Sequence, residues 1–447
     1  MKEKSVLFWK KIPLKRILLF LFLLYLAALI VPYIPHKKVS DSFRKSFSEN
    51  TFYSNSTGTE RAAYIDDNEE ALAYRLRMIE EAQEEIILST FDFNADHGGK
   101  DILAALQNAA DRGVSVRVIV DGISGFLDLR GNPWFQAAAS HENIEIRIYN
   151  PVNLLMPWNI QARLHDKYLI IDRELFIYET QDDPDSSLYQ LLDYFEQVWQ
   201  LEESKDYICS NLTDKVNDCI LELEKQYDKL TEQYPEMLEE WDWESLTMET
   251  NKVSLLSNPV QAENKEPWMW YSLHQMMQEG SEVTIYTPYI ICGPEMYDDL
   301  SSLTQKGIPV EIITYDVASG ANPWGCTDYL NQKENVWETG VKVYEFMGAH
   351  SCHTKAVLIG DRMSIIGSYN LDMRSTYQDT ELMLAVDSPE LDALVREEAE
   401  RDKTYSKVME NGSYFYGENY EPKEISWPKK IFYAVLRVVI VPFRRFL

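Results

Sequence analysis

Two histidine–lysine pairs stand out for their chemistry: His165 and Lys167 in LHDKYLIID (164–172), and His353 and Lys355 in CHTKAVLIGD (352–361). Both stretches are apolar enough to read as strands, where residues i and i+2 project from one face. Each histidine therefore shares a face with its lysine. Two such pairs brought face to face supply what phosphodiester transfer needs. One imidazole attacks phosphorus and becomes a phosphohistidine, and the other gives a proton to the departing alcohol. The roles reverse when an acceptor alcohol arrives. The two ammonium groups hold the non-bridging oxygens and stabilise charge in the transition state. The scheme calls on no metal and no cofactor. Imidazole titrates near neutrality, so one ring can start neutral and the other protonated. A single His-x-Lys on a strand is most often an ordinary polar face; a second copy at a matching place changes that reading.

The matching place is set by an internal repeat. In the first half a strand, EEIILSTFDFN (84–94), leads into GKDILAALQNAADRGVSVRVIVDG (99–122), read as an amphipathic helix ended by Gly113 and a Val-rich strand. The second half repeats this as SEVTIYTPYI (281–290) and PEMYDDLSSLTQKGIPVEIITYD (294–316), with Gly307 in the place of Gly113. Each copy adds a short strand, ENIEIRIYN (142–150) or GVKVYEF (340–346), before its His-x-Lys segment. The order predicts a mixed α/β sheet flanked by helices in each half, with the active site at the seam between them.

In these motifs the chain resembles the phospholipase D superfamily. HDKYLIID fits the family's H-x-K-x4-D through His165, Lys167 and Asp172; HTKAVLIGDRMSIIGSYN fits the longer form through His353, Lys355, Gly367, Ser368 and Asn370. QDTELMLAVDS (378–388) is similar to the family's closing strand, with Glu381 where the family places an acid that orients the catalytic histidine. The resemblance spans roughly residues 60–425, and NLDMRSTYQDTELMLAVDS together with the apolar N-terminus looks most like bacterial cardiolipin synthases. It implies two phospholipase D-like halves, His165 as nucleophile, His353 as acid and base, and Lys167, Lys355 and Asn370 on the phosphate, with Ser368 beside them. It also implies phosphatidyl transfer through a phosphatidyl-histidine, two phosphatidylglycerol molecules giving cardiolipin and glycerol. Two departures stand against it. Gly360 occupies the aspartate position of the second motif, with Asp361 one place later and, by strand parity, on the face of His353. In the first copy, Glu179, Thr180 and Asp182 fill the Gly-Ser-x-Asn positions, and no closing strand precedes SLYQLLDYFEQVW; Asp182, Asp183 and Asp185 are the acids at hand in its place.

The formal charge of -29 is uneven. Residues 1–16 carry +5 and residues 425–447 carry +5, leaving about -39 between them. An acidic body with basic, apolar ends suits an anionic membrane surface, and no nucleic acid partner is expected, since phosphate binding needs Lys and Arg. Residues 17–34 form an uncharged run of 18 residues, about 27 Å as a helix, predicting a single-pass N-terminal transmembrane helix. Slightly more Lys and Arg precede it than follow it, which places the body outside the cytoplasm of a bacterial cell membrane. The predicted organisation is an anchor (1–36), a first half (60–205), a helical acidic connector (206–250), a second half (251–424) and a basic amphipathic membrane-associated tail (425–447). Five cysteines make no disulfide framework; Cys209 and Cys219 fit a pair or two free thiols. His350, Cys352 and His353 lack the second well-spaced ligand pair that a zinc site requires. Ser319 and Asn322, in a Gly/Pro loop, are candidates for polar contacts at the substrate mouth, and an ordinary loop is the equal alternative. Leu154, Leu155, Met156 and Trp158 either touch lipid at the site entrance or lie in the core. Three functions stay open besides cardiolipin synthesis: a phospholipase D using water, a nuclease of the same superfamily, and a catalytically degenerate lipid-binding protein.

Overall fold

The computed structural model describes residues 14–172, 186–209, 211–320, 322–349, 352–410 and 412–447. The first half contributes β1 (Glu85–Thr90), β2 (Ser115–Asp121), β3 (Ile144–Tyr149), β4 (Tyr168–Ile171) and β5 (Ser204–Asp206), ordered β4-β1-β2-β3-β5. The second contributes β6 (Lys252–Ser257), β7 (Val283–Tyr286), β8 (Val310–Tyr315), β9 (Lys342–Phe346), β10 (Ala356–Ile359), β11 (Met363–Gly367), β12 (Leu382–Asp387), β13 (Ser406–Glu410) and β14 (Ser413–Tyr416). These run β14-β13-β9-β8-β7-β10-β11-β12-β6.

The repeat is structural. β1, β2 and β3 are parallel and β4 is antiparallel to β1; β7, β8 and β9 are parallel and β10 is antiparallel to β7. The crossover helices end alike. Gly113 (φ +98°) and Gly307 (φ +85°) take the left-handed conformation that closes a helix without a Cβ clash. The following amides fold back in the same pattern, Val114 N–H to Ala109 O and Ile308 N–H to Leu303 O, both at 3.1 Å. Beyond β10 the second sheet continues through β11, β12 and β6. The corresponding stretch of the first half, 173–185, lies outside the described residues, and with it Glu179, Thr180, Asp182, Asp183 and Asp185.

Each half has its own apolar core, and a third cluster fills the seam. Leu164, Tyr149, Val260 and Leu382 meet there under Leu188, Leu191, Phe195 and Trp199 of the helix Ser187–Trp199. That helix shows the spacing expected of it, its apolar stripe turned inward. The acidic stretch between the halves includes the helix Asp214–Gln233, which buries Val216, Cys219, Leu223 and Leu230 on the first core. All five cysteines are free, so Cys209 and Cys219 do not pair. Near the N-terminus, Leu14–Tyr33 is a helical segment of 20 residues, long and apolar enough to cross a membrane.

Candidate active site

Both His-x-Lys pairs lie in extended segments immediately before strands: β4 begins at Tyr168 and β10 at Ala356. The alternation expected of a strand still holds in the first copy. Asp166 turns inward, fully buried, and accepts the Tyr194 hydroxyl at 2.6 Å, while His165 and Lys167 face the seam. A two-way backbone ladder fixes the segment across the halves. His165 N–H donates to Thr380 O at 3.3 Å, and Thr380 N–H donates to Arg163 O at 2.9 Å.

Glu381, immediately before β12, crosses the seam to the first histidine. Its carboxylate oxygens stand 3.0 and 3.1 Å from His165 Nδ1, and Ser368 Oγ donates to it at 2.5 Å. A carboxylate only accepts, so Nδ1 carries the proton and Nε2 keeps its lone pair. Burial, then the charge of Lys167, holds the imidazole well below its usual range. Burial raises the Glu381 carboxyl to about 7. Among the described residues the ring of His353 is met by Lys355 Nζ, 3.0 Å from Nδ1, and by no carboxylate. The two half-sites are thus unlike.

The four basic groups crowd one another. Desolvation, then Lys355, Lys167 and His165, brings the His353 imidazole down to about 4. Burial, then Lys167, lowers the Lys355 ammonium to about 7, and burial lowers that of Lys167. Each pair therefore acts on the charge of the other, and an anion between them would relieve that repulsion. Lys167 Nζ donates to His165 O at 2.6 Å and stands 5.5 Å above the Phe91 ring; Lys355 Nζ donates to His353 O at 2.7 Å. Phe91 also sets its edge against the His165 ring at 5.3 Å.

The remaining candidates divide. Asn370 is buried, its Oδ1 without a hydrogen-bond partner among the described residues. Asp172 does not turn to His165. At φ +52° its carboxylate accepts the amides of Gln83, Glu84 and Glu85 at 2.7–3.2 Å. Gly360 (φ +64°) makes the same left-handed turn in the second copy, and its amide bonds Glu282 O just as that of Asp172 bonds Glu85 O. Because β10 ends at Ile359 and the chain turns there, strand parity does not extend to Asp361. Ser319 Oγ donates to the carbonyls of Asp316, in its own loop, and of Phe346, at the end of β9; Asn322 caps the helix Pro323–Glu338. His350 lies outside the described residues. Leu154, Leu155, Met156 and Trp158 are exposed.

Sequence reasoning passed over the brace behind Glu381. Arg374 pairs with Asp379 at 2.9 Å and donates to Gln161 O at 2.8 Å; Arg163, fully buried, faces Asp121 at 3.5 Å. The signal was present in YQDTELML, where Asp379 and Thr380 immediately precede the acid.

Known proteins fit this geometry. The family model described as cardiolipin synthase, PLD-like domain, matches residues 76–181 and 273–403, just over half of the chain and all four His and Lys positions. Cardiolipin synthase C of Escherichia coli is 23% identical over 391 residues, covering 73% of this chain and 81% of that protein. Cardiolipin synthase A of Buchnera aphidicola is 24% identical over 298 residues, covering 64% of this chain and 57% of that protein. The crystal structure of phosphatidylserine synthase from Haemophilus influenzae superposes with a TM-score of 0.57 at 15% identity, covering 87% of this chain and 97% of that one, and so shares the fold. With both matched segments carrying their His-x-Lys pair to one seam, the chain belongs to the phospholipase D-like family of the cardiolipin synthase type.

Proposed function

We propose that the protein is a membrane phosphatidyltransferase of the cardiolipin synthase type, with His165 as its nucleophile. The single observation that carries the assignment of roles is the Glu381–His165 contact. A buried carboxylate that fixes the Nδ1 proton readies Nε2 for attack and stabilises the cation formed on the phosphorylated ring. His353, with no such partner among the described residues and open to solvent, suits proton exchange. Nε2 of His165 attacks phosphorus of phosphatidylglycerol, the bond from phosphorus to the glycerol headgroup oxygen breaks, and His353 protonates the departing glycerol. A hydroxyl of a second phosphatidylglycerol then gives its proton to His353 and attacks phosphorus. The P–N bond breaks and cardiolipin leaves. Lys167 and Lys355 hold the phosphate oxygens, and Asn370 supplies an amide to the same group. An incoming phosphodiester anion raises the His353 pKa from about 4 toward the range where a general acid works. Leu14–Tyr33 anchors the body beside its lipid, outside the cytoplasm.

The test is to trap the intermediate. His353→Asn, incubated with phosphatidyl-p-nitrophenol, whose nitrophenolate leaves without an acid, and quenched rapidly, is expected to show a phosphatidyl mass adduct on His165. An adduct on His353 in the matching His165→Asn protein, with none on His165, would reverse the roles.

A further inference from the structure

The helix Trp427–Val439 has two apolar faces. Tyr433, Leu436 and Ile440 are buried on the body, held by Arg437 and Asn331, which exchange hydrogen bonds of 2.8 and 2.9 Å. Trp427, Ile431, Val435 and Val438, at helical spacing on another face, are 75, 53, 60 and 76% exposed. An apolar stripe of this size on a surface helix needs a cover. The segment 425–447 carries five Lys and Arg and no acid, on a chain of formal charge -29.

The segment is tied to the catalytic seam. Arg444 pairs with the buried Asp328 at 2.8 Å. Gln378 Nε2 donates to Arg445 O at 2.6 Å, and Arg374 N–H donates to Leu447 O at 3.0 Å. Both donors lie just before Asp379, Thr380 and Glu381. Phe446 packs into the seam cluster that also holds Tyr33, where the apolar N-terminal segment ends. The loop at Pro157–Asn159 lies against the helix Leu14–Ile30 and exposes Leu155 and Trp158. Three exposed apolar surfaces are thus linked, through Tyr33 and residues 444–447, to the seam where Glu381 holds His165.

We propose that the stripe Trp427–Ile431–Val435–Val438 lies on the surface of an anionic lipid bilayer, as an in-plane helix beside the anchor, and seats the catalytic mouth on the membrane. The chemistry fits: an amphipathic helix edged with Lys and Arg binds where acyl chains meet anionic headgroups. A lipid surface is favoured over a second copy of the chain because the segment packs, through Phe446, into the same cluster as Tyr33, the end of the apolar helix Leu14–Tyr33 that is long enough to cross a membrane, and a bilayer offers an apolar layer and negative charge together. The inference deepens the reading of the site as one for lipid phosphodiesters, but its first test does not depend on turnover.

Full-length protein, with Cys209→Ser and Val438→Cys bearing an environment-sensitive fluorophore, is placed in phosphatidylcholine bilayers with or without phosphatidylglycerol. The expected result is a blue shift, quenched by lipids spin-labelled high on the acyl chain, that strengthens with phosphatidylglycerol and weakens in Lys429→Glu/Lys430→Glu. A label that stays aqueous in both bilayers overturns the proposal; so does a shift that follows protein concentration instead of lipid, which would assign the stripe to a second copy. In activity assays, Ile431→Ser/Val435→Ser/Val438→Ser should lower turnover of bilayer phosphatidylglycerol at least several-fold, with dispersed short-chain substrate unaffected. Unchanged bilayer turnover counts against the proposal. If turnover of both substrates falls together, the fluorophore depth decides. If neither substrate is ever turned over while the label inserts, the surface stands and the reading of the reaction fails.

Discussion

Replacing Glu381 by Gln removes a charge and almost no volume, so it isolates what the carboxylate does for His165. In the native site the fully buried carboxylate accepts from Nδ1 at 3.0 Å and from Ser368 at 2.5 Å. A hydrogen bond to a charged group contributes roughly 1.5–3 kcal/mol, against about 1 for a neutral one. In the proposed mechanism this carboxylate also stabilises the cationic ring of the phosphohistidine state more than the neutral ring that precedes it. Losing about 2–3 kcal/mol at the transition state corresponds to roughly 30–150-fold in kcat/KM. The pH profile gives a second, independent signature. Burial sets the Glu381 carboxyl at about 7, and below that value it gains a proton and ceases to hold Nδ1–H. Wild-type kcat/KM should therefore fall as pH drops through about 7, and Glu381→Gln, whose amide does not titrate, should lose that limb. The assay is steady-state turnover of phosphatidylglycerol in mixed micelles from acid to neutral pH, beside a circular dichroism check of folding. A Gln variant with near-native kcat/KM, or with the same acid limb, would refute the role given to this contact.

Ser368→Ala should move the acid limb upward by about one pH unit, because the hydroxyl stabilises the ionised carboxylate; an unmoved limb separates Ser368 from Glu381. Asp172→Ala removes a carboxylate that holds three amides and leaves a residue at φ +52°, so it should cost about 2–3 kcal/mol in urea unfolding. The Lys265 ammonium, buried between Pro259 O and Gln261 O, is brought down to about 7 by burial. From about pH 7 to its unfolded value the folded chain binds fewer protons at this group, so this residue makes stability rise with pH there. Lys265→Met should abolish that rise in a pH series of denaturant midpoints.

The features legible in the sequence are those written locally and twice. The two His-x-Lys pairs, the helices ended by Gly113 and Gly307, and the strands around them are set by short-range periodicity and turn chemistry, and the fold follows. Glu381 was legible by resemblance, but its partner was not: it bonds a histidine 216 residues away in the other half, and no local pattern encodes such a contact. Asp166 and Tyr194, or Arg374 and Asp379, escape notice for a related reason, since their pairing arises only in the buried surroundings that tertiary packing creates. Apolar residues are ambiguous in the opposite sense. Leu155 is as hydrophobic as any core leucine, yet it is 86% exposed. Ser319 could not be placed from its loop alone, since its hydroxyl bonds the carbonyls of Asp316 and of Phe346, a residue distant in sequence. Gly360 breaks the motif on paper, but the position asks first for a left-handed turn, which glycine makes as readily as Asp172 does.

The central claim is that the paired site moves a phosphatidyl group between lipids. It is met most directly by supplying purified full-length protein with phosphatidylglycerol labelled in its phosphate and following the label, with His165→Ala and His353→Ala alongside. Labelled cardiolipin and free glycerol are expected from wild type and neither from the two variants. Labelled phosphatidic acid as the main product would make the protein a hydrolase, and cardiolipin formed by His165→Ala would rule out a phosphohistidine on His165.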